Sequence, residues 1–271
     1  MRCRTSPGYS FALVFSGFLA AILPIMVPAA HAQKPPEKRE ASTLSAEVND
    51  LLGRMSKTLL AKEFSFEART LRAYAGTNGE LLHIAHKTET VVRRPNKLVV
   101  DVTGDDGATK LFYDGTSLII YGADRKEYAS ISAPNTLDEM IGVAAASLGL
   151  DLPLADFLSS DPKEALLIGV TSGGDVGTAT IDGVRCRHLF FIQSPDLEME
   201  LWLEDNDRAL PRPLIVTYQT LPGRPRYIGE LSNWEFGTQH PDTEFVFQPP
   251  AGVTQVELAT GTSSPPSAPA K

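Results

Sequence analysis

Apolar residues recur at helical spacing in only two stretches of this chain. Leu44, Val48, Leu51, Leu52, Met55 and Leu59 form the first, with Glu47, Asn49, Asp50, Arg54 and Lys57 between them, and this spacing predicts an amphipathic helix. After Lys62 the period changes to two. Phe64, Phe66 and Ala68 alternate with Ser65, Glu67 and Arg69, the pattern of a strand with one wet face. Four turn dipeptides follow between β-rich runs: Asn78-Gly79, Asp106-Gly107, Asp114-Gly115 and Asp182-Gly183. Asn-Gly and Asp-Gly tolerate the positive φ angles of a type I′ hairpin turn, so the series predicts an antiparallel meander.

A first set of strands is expected at Leu81 to Arg93, Leu98 to Thr103, Thr109 to Tyr113, Ser117 to Tyr121 and Glu127 to Ile131. A second runs from Ala165 to Thr171, Val176 to Ile181, Val184 to Gln193 and Asp196 to Glu204, then Pro213 to Gln219, Arg226 to Phe236 and Glu244 to Phe247. Its clearest alternation sets Leu197, Met199, Leu201 and Leu203 against Glu198, Glu200, Trp202 and Glu204, which buries one face and wets the other.

The second helical stretch separates the two sets. Thr136-Leu137-Asp138-Glu139 reads as a capping box, and Leu137, Ile141, Ala144 or Ala145, and Leu148 fall on one face of the helix behind it. Gly149 is expected to stop it, and Leu152 to Leu158 to form a loop with a short helical turn. Met140, Ile141, Val143 and Ala144 to Ala146 leave almost no polar face, so this helix is expected to be buried on several sides or to cover something apolar.

Ahead of the folded region, Arg2 and Arg4 precede a largely apolar run from Phe11 to Val27, which ends in Ala30-His31-Ala32. That three-part pattern is expected of a secretory signal peptide, residues 1–32, with a retained transmembrane anchor as the alternative; on cleavage the mature chain is expected in the periplasm with no stable membrane insertion. No cysteine stands at the cleavage point for lipidation. Residues 33–41 are a charged, proline-bearing leader, and 259–271 are mostly Gly, Ser, Thr, Pro and Ala. Neither segment can bury enough apolar surface to offset its ordering entropy, so both are expected to be disordered around one domain at 42–258.

Charge and chemistry narrow the function. The net charge of −8 becomes more negative when Arg2 and Arg4 leave, and no basic stripe appears. Nucleic acid is therefore excluded as a partner, and anionic membrane surfaces are disfavoured, because both need clustered lysine and arginine. After loss of Cys3, Cys186 is the only cysteine, so no intramolecular disulfide can form. No nucleophile elbow, phosphate loop, dinucleotide fingerprint or His-Glu-x-x-His occurs. His83 and His86 point to opposite faces of their strand, while Cys186 and His188 share one. That thiol–imidazole pair is the one catalytic or half-zinc candidate, and it lacks a third partner. Glu198, Glu200 and Glu204 share a face read as solvated rather than as a calcium site. No cofactor, metal or catalytic residue is assigned.

Arg93-Arg94-Pro95-Asn96-Lys97-Leu98, followed by Leu111-Phe112-Tyr113-Asp114-Gly115-Thr116-Ser117-Leu118, resembles a stretch of the periplasmic lipoprotein carriers, the LolA/LolB group. Phe245 to Val253 is similar to that group's closing strand. Gly183 to His188, Leu201-Trp202-Leu203 and Leu210-Pro211 look closer still to an uncharacterised family of predicted periplasmic proteins in the same superfamily. The resemblance implies an α+β fold: a curved antiparallel sheet of about 11–12 strands, an open half-barrel, with helices over its concave side. In the carriers that covered space holds acyl chains, and burial is worth about 0.8 kcal/mol per CH₂. The resemblance thus implies a ligand site with Phe66, Val100, Val102, Ile120, Leu137, Met140, Ile141 and Leu201 as its lining candidates. The expected function is non-enzymatic binding of a lipid, acyl chain or lipoprotein. The alternatives are an envelope sensor that binds a protein partner through the same fold, and a thiol-dependent hydrolase.

Overall fold

In the computed structural model, the described residues are 44–75, 80–148, 154–193 and 197–257. The signal peptide, the leader at 33–41 and the tail at 259–271 lie outside them, as do the turn at Asn78-Gly79, the stop at Gly149 and the loop start at Leu152. Helix α1 (Ala46–Leu59) begins where the Ser45 hydroxyl accepts from the Val48 amide at 3.3 Å, an N-cap that satisfies one of the helix's orphan donors. Its periodic residues Val48, Leu51, Leu52, Met55 and Leu59 are all buried.

Six strands follow: β1 (Glu63–Ala75), β2 (Leu81–Arg93), β3 (Lys97–Gly104), β4 (Gly107–Tyr113), β5 (Ser117–Gly122) and β6 (Glu127–Ser132). Then come α2 (Leu137–Leu148), a 3₁₀ turn at Ala155–Leu158 and α3 (Pro162–Leu167). The second series is β7 (Val170–Ile181), β8 (Val184–Gln193), β9 (Leu197–Glu204), β10 (Pro211–Tyr218) and β11 (Arg226–Phe236), with a 3₁₀ turn at Asp242–Phe245 and a short β12 (Thr254–Gln255). These twelve strands of the described residues form one open sheet in the order β12-β6-β5-β4-β3-β2-β1-β11-β10-β9-β8-β7. Every pairing is antiparallel except β12 with β6. Two meanders are therefore joined through β1 and β11, whose register sets Ala68 opposite Leu231 and Thr70 opposite Gly229.

Four expectations are corrected. Residues 165–167 belong to a helix, because Asp161 accepts from the Glu164 amide at 3.1 Å and Pro162 supplies a pre-set first position. The pieces expected at Ala165 to Thr171 and Val176 to Ile181 are consequently one strand, β7, which bulges between Asp175 and Gly177. Glu244 to Phe247 does not pair as a strand. Phe245 is buried in a 3₁₀ turn beneath the Arg93 guanidinium, 4.7 Å from its ring, and Asp242 binds Arg93 and Lys97. Among the described Asp-Gly turns, only Asp182-Gly183 has both residues at positive φ, 47° and 78°. At Asp114-Gly115 the carboxylate instead accepts from the Thr116 and Ser117 amides at 2.8 and 2.9 Å, an Asx turn that closes the hairpin by itself.

One face of the sheet carries the core. Phe64, Val92, Leu98, Leu189, Phe191, Leu201 and Leu214 pack with the buried face of α1, together with Leu137, Met140 and Ala144 of α2. Near the join, the register of β1 and β11 slips between Ser65 and Glu67, and Asn233 takes φ +52°. The bulge turns Trp234 onto Phe66, with ring centroids 4.6 Å apart.

Candidate functional site

Between the first meander and α2 the inner face is not fully packed, leaving a cavity of about 360 Å³. That falls within the roughly 300–1,000 Å³ range of ligand pockets. Its floor is built by strand parity. Phe66 and Thr70 of β1, Thr88 and Thr90 of β2, Val100 and Val102 of β3, Leu111 of β4 and Leu118 of β5 all line it. The register sets Val100 opposite both Thr90 and Leu111, so these side chains stand on one face. Met140, Ile141 and Ala144 of α2 form the cover, with Leu154, Ala155 and Leu158. Arg72, Tyr74, His86 and Tyr227 supply the polar groups of the lining besides the threonines. They come from the sheet end farthest from Leu98, since Arg72 pairs with Tyr227 and His86 with Gly104.

The cover is tied down at the opposite end. The Leu137 amide donates to Pro95 O at 3.0 Å, and the Tyr113 hydroxyl donates to Pro134 O. Burial, with Asp114 and Glu139 nearby, pushes the Tyr113 phenol up to about 12, so it stays a donor. Arg94 reaches under the cover from the β2–β3 turn. Its guanidinium donates to Leu59 O at 3.2 and 3.1 Å and to Leu158 O at 2.8 Å, clamping the end of α1 to the 3₁₀ turn. Burial lowers its pKa, and the charge of Asp138 acts in the other direction. Asp138 in turn accepts from the Ser159 hydroxyl at 2.7 Å and the Ser160 amide at 3.0 Å. Burial alone would raise the Asp138 carboxyl, but those bonds and the Arg94 charge outweigh it and hold it below its ordinary value. Asp156, on the same turn, is raised by burial.

The sign of the Asp138 effect fixes a pH dependence. A carboxyl depressed in the folded state adds stability that is present above its unfolded pKa, near 3.8, and is lost as pH falls through the folded value. Urea-unfolding midpoints are expected to drop more steeply from pH 5 to pH 3 in the native protein than in Asp138→Asn, whose amide does not titrate. Equal slopes would remove Asp138 from the latch.

Of the eight lining candidates, Phe66, Val100, Val102, Met140 and Ile141 border the cavity. Ile120 lies on the same face, opposite Leu111, outside the cavity wall. Leu137 and Leu201 are fully packed core residues, at the start of α2 and on β9. The threonines and the polar end were not among the candidates. The signal that finds them is the parity of β2, where Lys87 and Glu89 mark the wet face and His86, Thr88 and Thr90 must share the other. Of the two expectations for α2, burial on several sides does not hold, because Gly142, Ala145 and Ala146 are exposed; the helix covers the apolar cavity through Met140, Ile141 and Ala144.

The other chemistry-bearing residues are engaged elsewhere. Cys186 is fully buried with its thiol toward Val184 O at 3.6 Å, and burial raises its pKa, which disfavours the nucleophilic thiolate. His188 stacks on Trp202 at 3.9 Å and bonds Glu200 at 3.0 Å. The glutamate face is not uniformly solvated, because Glu204 is buried against Arg212, 2.7 Å from its Nε. Glu198 lies 3.4 Å from Arg224.

Fold and cavity together describe an open, mostly antiparallel sheet with few helices and an apolar compartment on its inner face. The chain belongs to the family described as predicted periplasmic protein, DUF2092, whose model matches residues 49–259. No curated protein matches it. Among solved structures, it is similar to an uncharacterised conserved protein from Thermus thermophilus at 8% identity and TM-score 0.48, covering 78% of this chain and 99% of that one. It is similar to a LolA superfamily protein from Nitrosomonas europaea at 11% identity and TM-score 0.39, covering 73% and 97%. A third likeness is to the MucA/MucB complex of Pseudomonas aeruginosa, at 17% identity and TM-score 0.41, covering 75% and 62%.

Proposed function

We propose that this protein is delivered to the periplasm by residues 1–32 and there binds a single acyl chain, without catalysis, in the cavity beneath α2. The observation that carries the reading is the cavity's polarity: apolar side chains and threonine along its length, with Arg72, Tyr74, His86 and Tyr227 at one end. An amphiphile fits that order, tail inward and head at the polar end. Size supports one chain. A cavity of about 360 Å³ lies near the lower end of the range for ligand pockets, which suits one chain rather than several. At about 0.8 kcal/mol per methylene, burying about ten contributes about 8 kcal/mol gross. That is enough to draw a chain from water and still permit release once binding entropy is subtracted.

Native mass spectrometry with lipid extraction, on the mature protein purified from a bacterial periplasm without detergent, tests this reading. Discrete added masses that release as single-chain acyl species are the expected result. A clean unliganded mass, with no uptake when fatty acid is offered, would sink the reading and turn attention to a protein-binding envelope sensor.

A further inference from the structure

Across the cavity floor the register lays the inward side chains in levels, two residues or about 7 Å apart along each strand. Inward from Arg72 the levels carry Thr70 opposite His86, then Thr88 opposite Val102, then Thr90 between Phe66 and Val100. One threonine thus stands at each of three successive levels. The level beyond, at Leu98 and Leu118, brings only apolar side chains to the cavity. Strand formation does not call for these hydroxyls. Valine is as β-prone as threonine, and it fills the matching positions of β3, Val102 opposite Thr88 and Val100 opposite Thr90.

The hydroxyls are also left incomplete by the protein. Thr70 and Thr90 are buried, at 8% and 4% exposure, and neither hydroxyl has a hydrogen-bond partner among the described residues. Neither oxygen is sealed in the packing, so both open onto the cavity that they line. Across from Thr70 the His86 ring is turned to Asp106, 2.7 Å away. Thr88 reaches only Ala68 O, at 3.5 Å. A buried hydroxyl without a partner costs free energy. Water completes such a group in an open cavity, but a plain hydrocarbon chain expels water and offers nothing in its place. A chain with a hydroxyl of its own restores the bond.

We propose that the cavity selects hydroxylated acyl chains over unsubstituted ones. Thr70, one level from Arg72, reads a hydroxyl close to the head group, and Thr88 and Thr90 read one farther along the chain. This rests on the acyl-chain reading and adds to it the class of chain.

Displacement of a bound fluorescent fatty acid from the mature protein decides it, with two pairs of competitors. The first pair is tetradecanoate and 3-hydroxytetradecanoate; the second is octadecanoate and 12-hydroxyoctadecanoate. A hydroxyl makes the free acid better hydrated, so a cavity blind to it favours the plain acid. The expected order is the reverse, with each hydroxylated acid bound about fivefold or more tighter than its counterpart. Thr70→Val should erase the preference for the 3-hydroxy acid and keep that for the 12-hydroxy acid. Thr88→Val with Thr90→Val should do the opposite. Thr70→Ser, which keeps the hydroxyl, should retain both preferences. Because valine removes a hydroxyl that has no protein partner, the melting temperatures of the valine variants should not fall. Plain acids bound as tightly as hydroxylated ones by the native protein would overturn the proposal and leave the acyl-chain reading standing. So would a preference that survives valine at all three positions. Binding of none of the four acids would overturn the acyl-chain reading, and this proposal with it.

Discussion

Ala144→Phe is expected to abolish acyl-chain uptake while the protein stays folded. Ala144 sits on the cavity side of α2, 1% exposed, and its methyl is part of the cover. A phenyl ring grown from that position has one direction to go, into the space below. If it removes even a third of the buried methylenes, the lost transfer energy is about 3 kcal/mol at 0.8 kcal/mol each, or a fall in affinity of at least about 100-fold. Overpacking a filled core costs about 1–3 kcal/mol, but here the ring meets an existing void, so the melting temperature should change little. Titration with a fluorescent fatty acid, alongside a thermal melt, reads both effects. Undiminished uptake by a folded Ala144→Phe protein would show that the chain does not lie under α2.

The second large effect is expected at Arg94, and it is one of stability. Replacement by alanine strips three hydrogen bonds from two carbonyls, Leu59 O and Leu158 O, that sit at the ends of α1 and the 3₁₀ turn. Hydrogen bonds to a charged donor are worth about 1.5–3 kcal/mol each, and orphaned buried carbonyls add a penalty. The cost of holding a half-desolvated guanidinium is relieved at the same time. The balance is a loss of about 2–4 kcal/mol in urea unfolding. Arg94→Lys should recover only part of it, because one ammonium cannot reproduce a planar fork spanning both carbonyls. A variant as stable as the native protein would mean that the clamp is not needed to hold the cover.

Much of this architecture was legible because it rests on local rules. The periods of 3.6 and 2 marked α1, α2 and most of the strands, and Thr136 does cap α2, accepting from the Glu139 amide at 3.3 Å. The two misreadings have different causes. Ala165 to Thr171 has the composition of a strand, but Asp161 and Pro162 impose a helix start just before it. Phe245 alternates like a strand residue and is instead drawn beneath Arg93 and Lys97, which arrive from β2 and β3. At Phe245 a contact from distant strands outweighs a weak local preference, whereas at Ala165 a local helix start overrides strand-like composition.

The cavity shows the same division. Phe66, Val100, Val102, Met140 and Ile141 were recognisable as apolar positions facing inward, and so were Leu137 and Leu201, which the structure packs solidly. Periodicity gives the face of a residue but not whether the opposite element fills the space above it. That depends on where α2 is latched by Arg94, Tyr113 and Asp138, and on the bulge at Phe66 that turns Trp234 onto it. By itself the sequence determined α1, α2, most of the strands and their inward faces, all set by neighbours a few residues apart, and the acidic balance, which is composition. Only the tertiary structure decided that β1 pairs with β11 and that a void survives under α2. The first rests on a pairing across more than a hundred residues and the second on side-chain contacts between separate elements, neither of which a local pattern encodes.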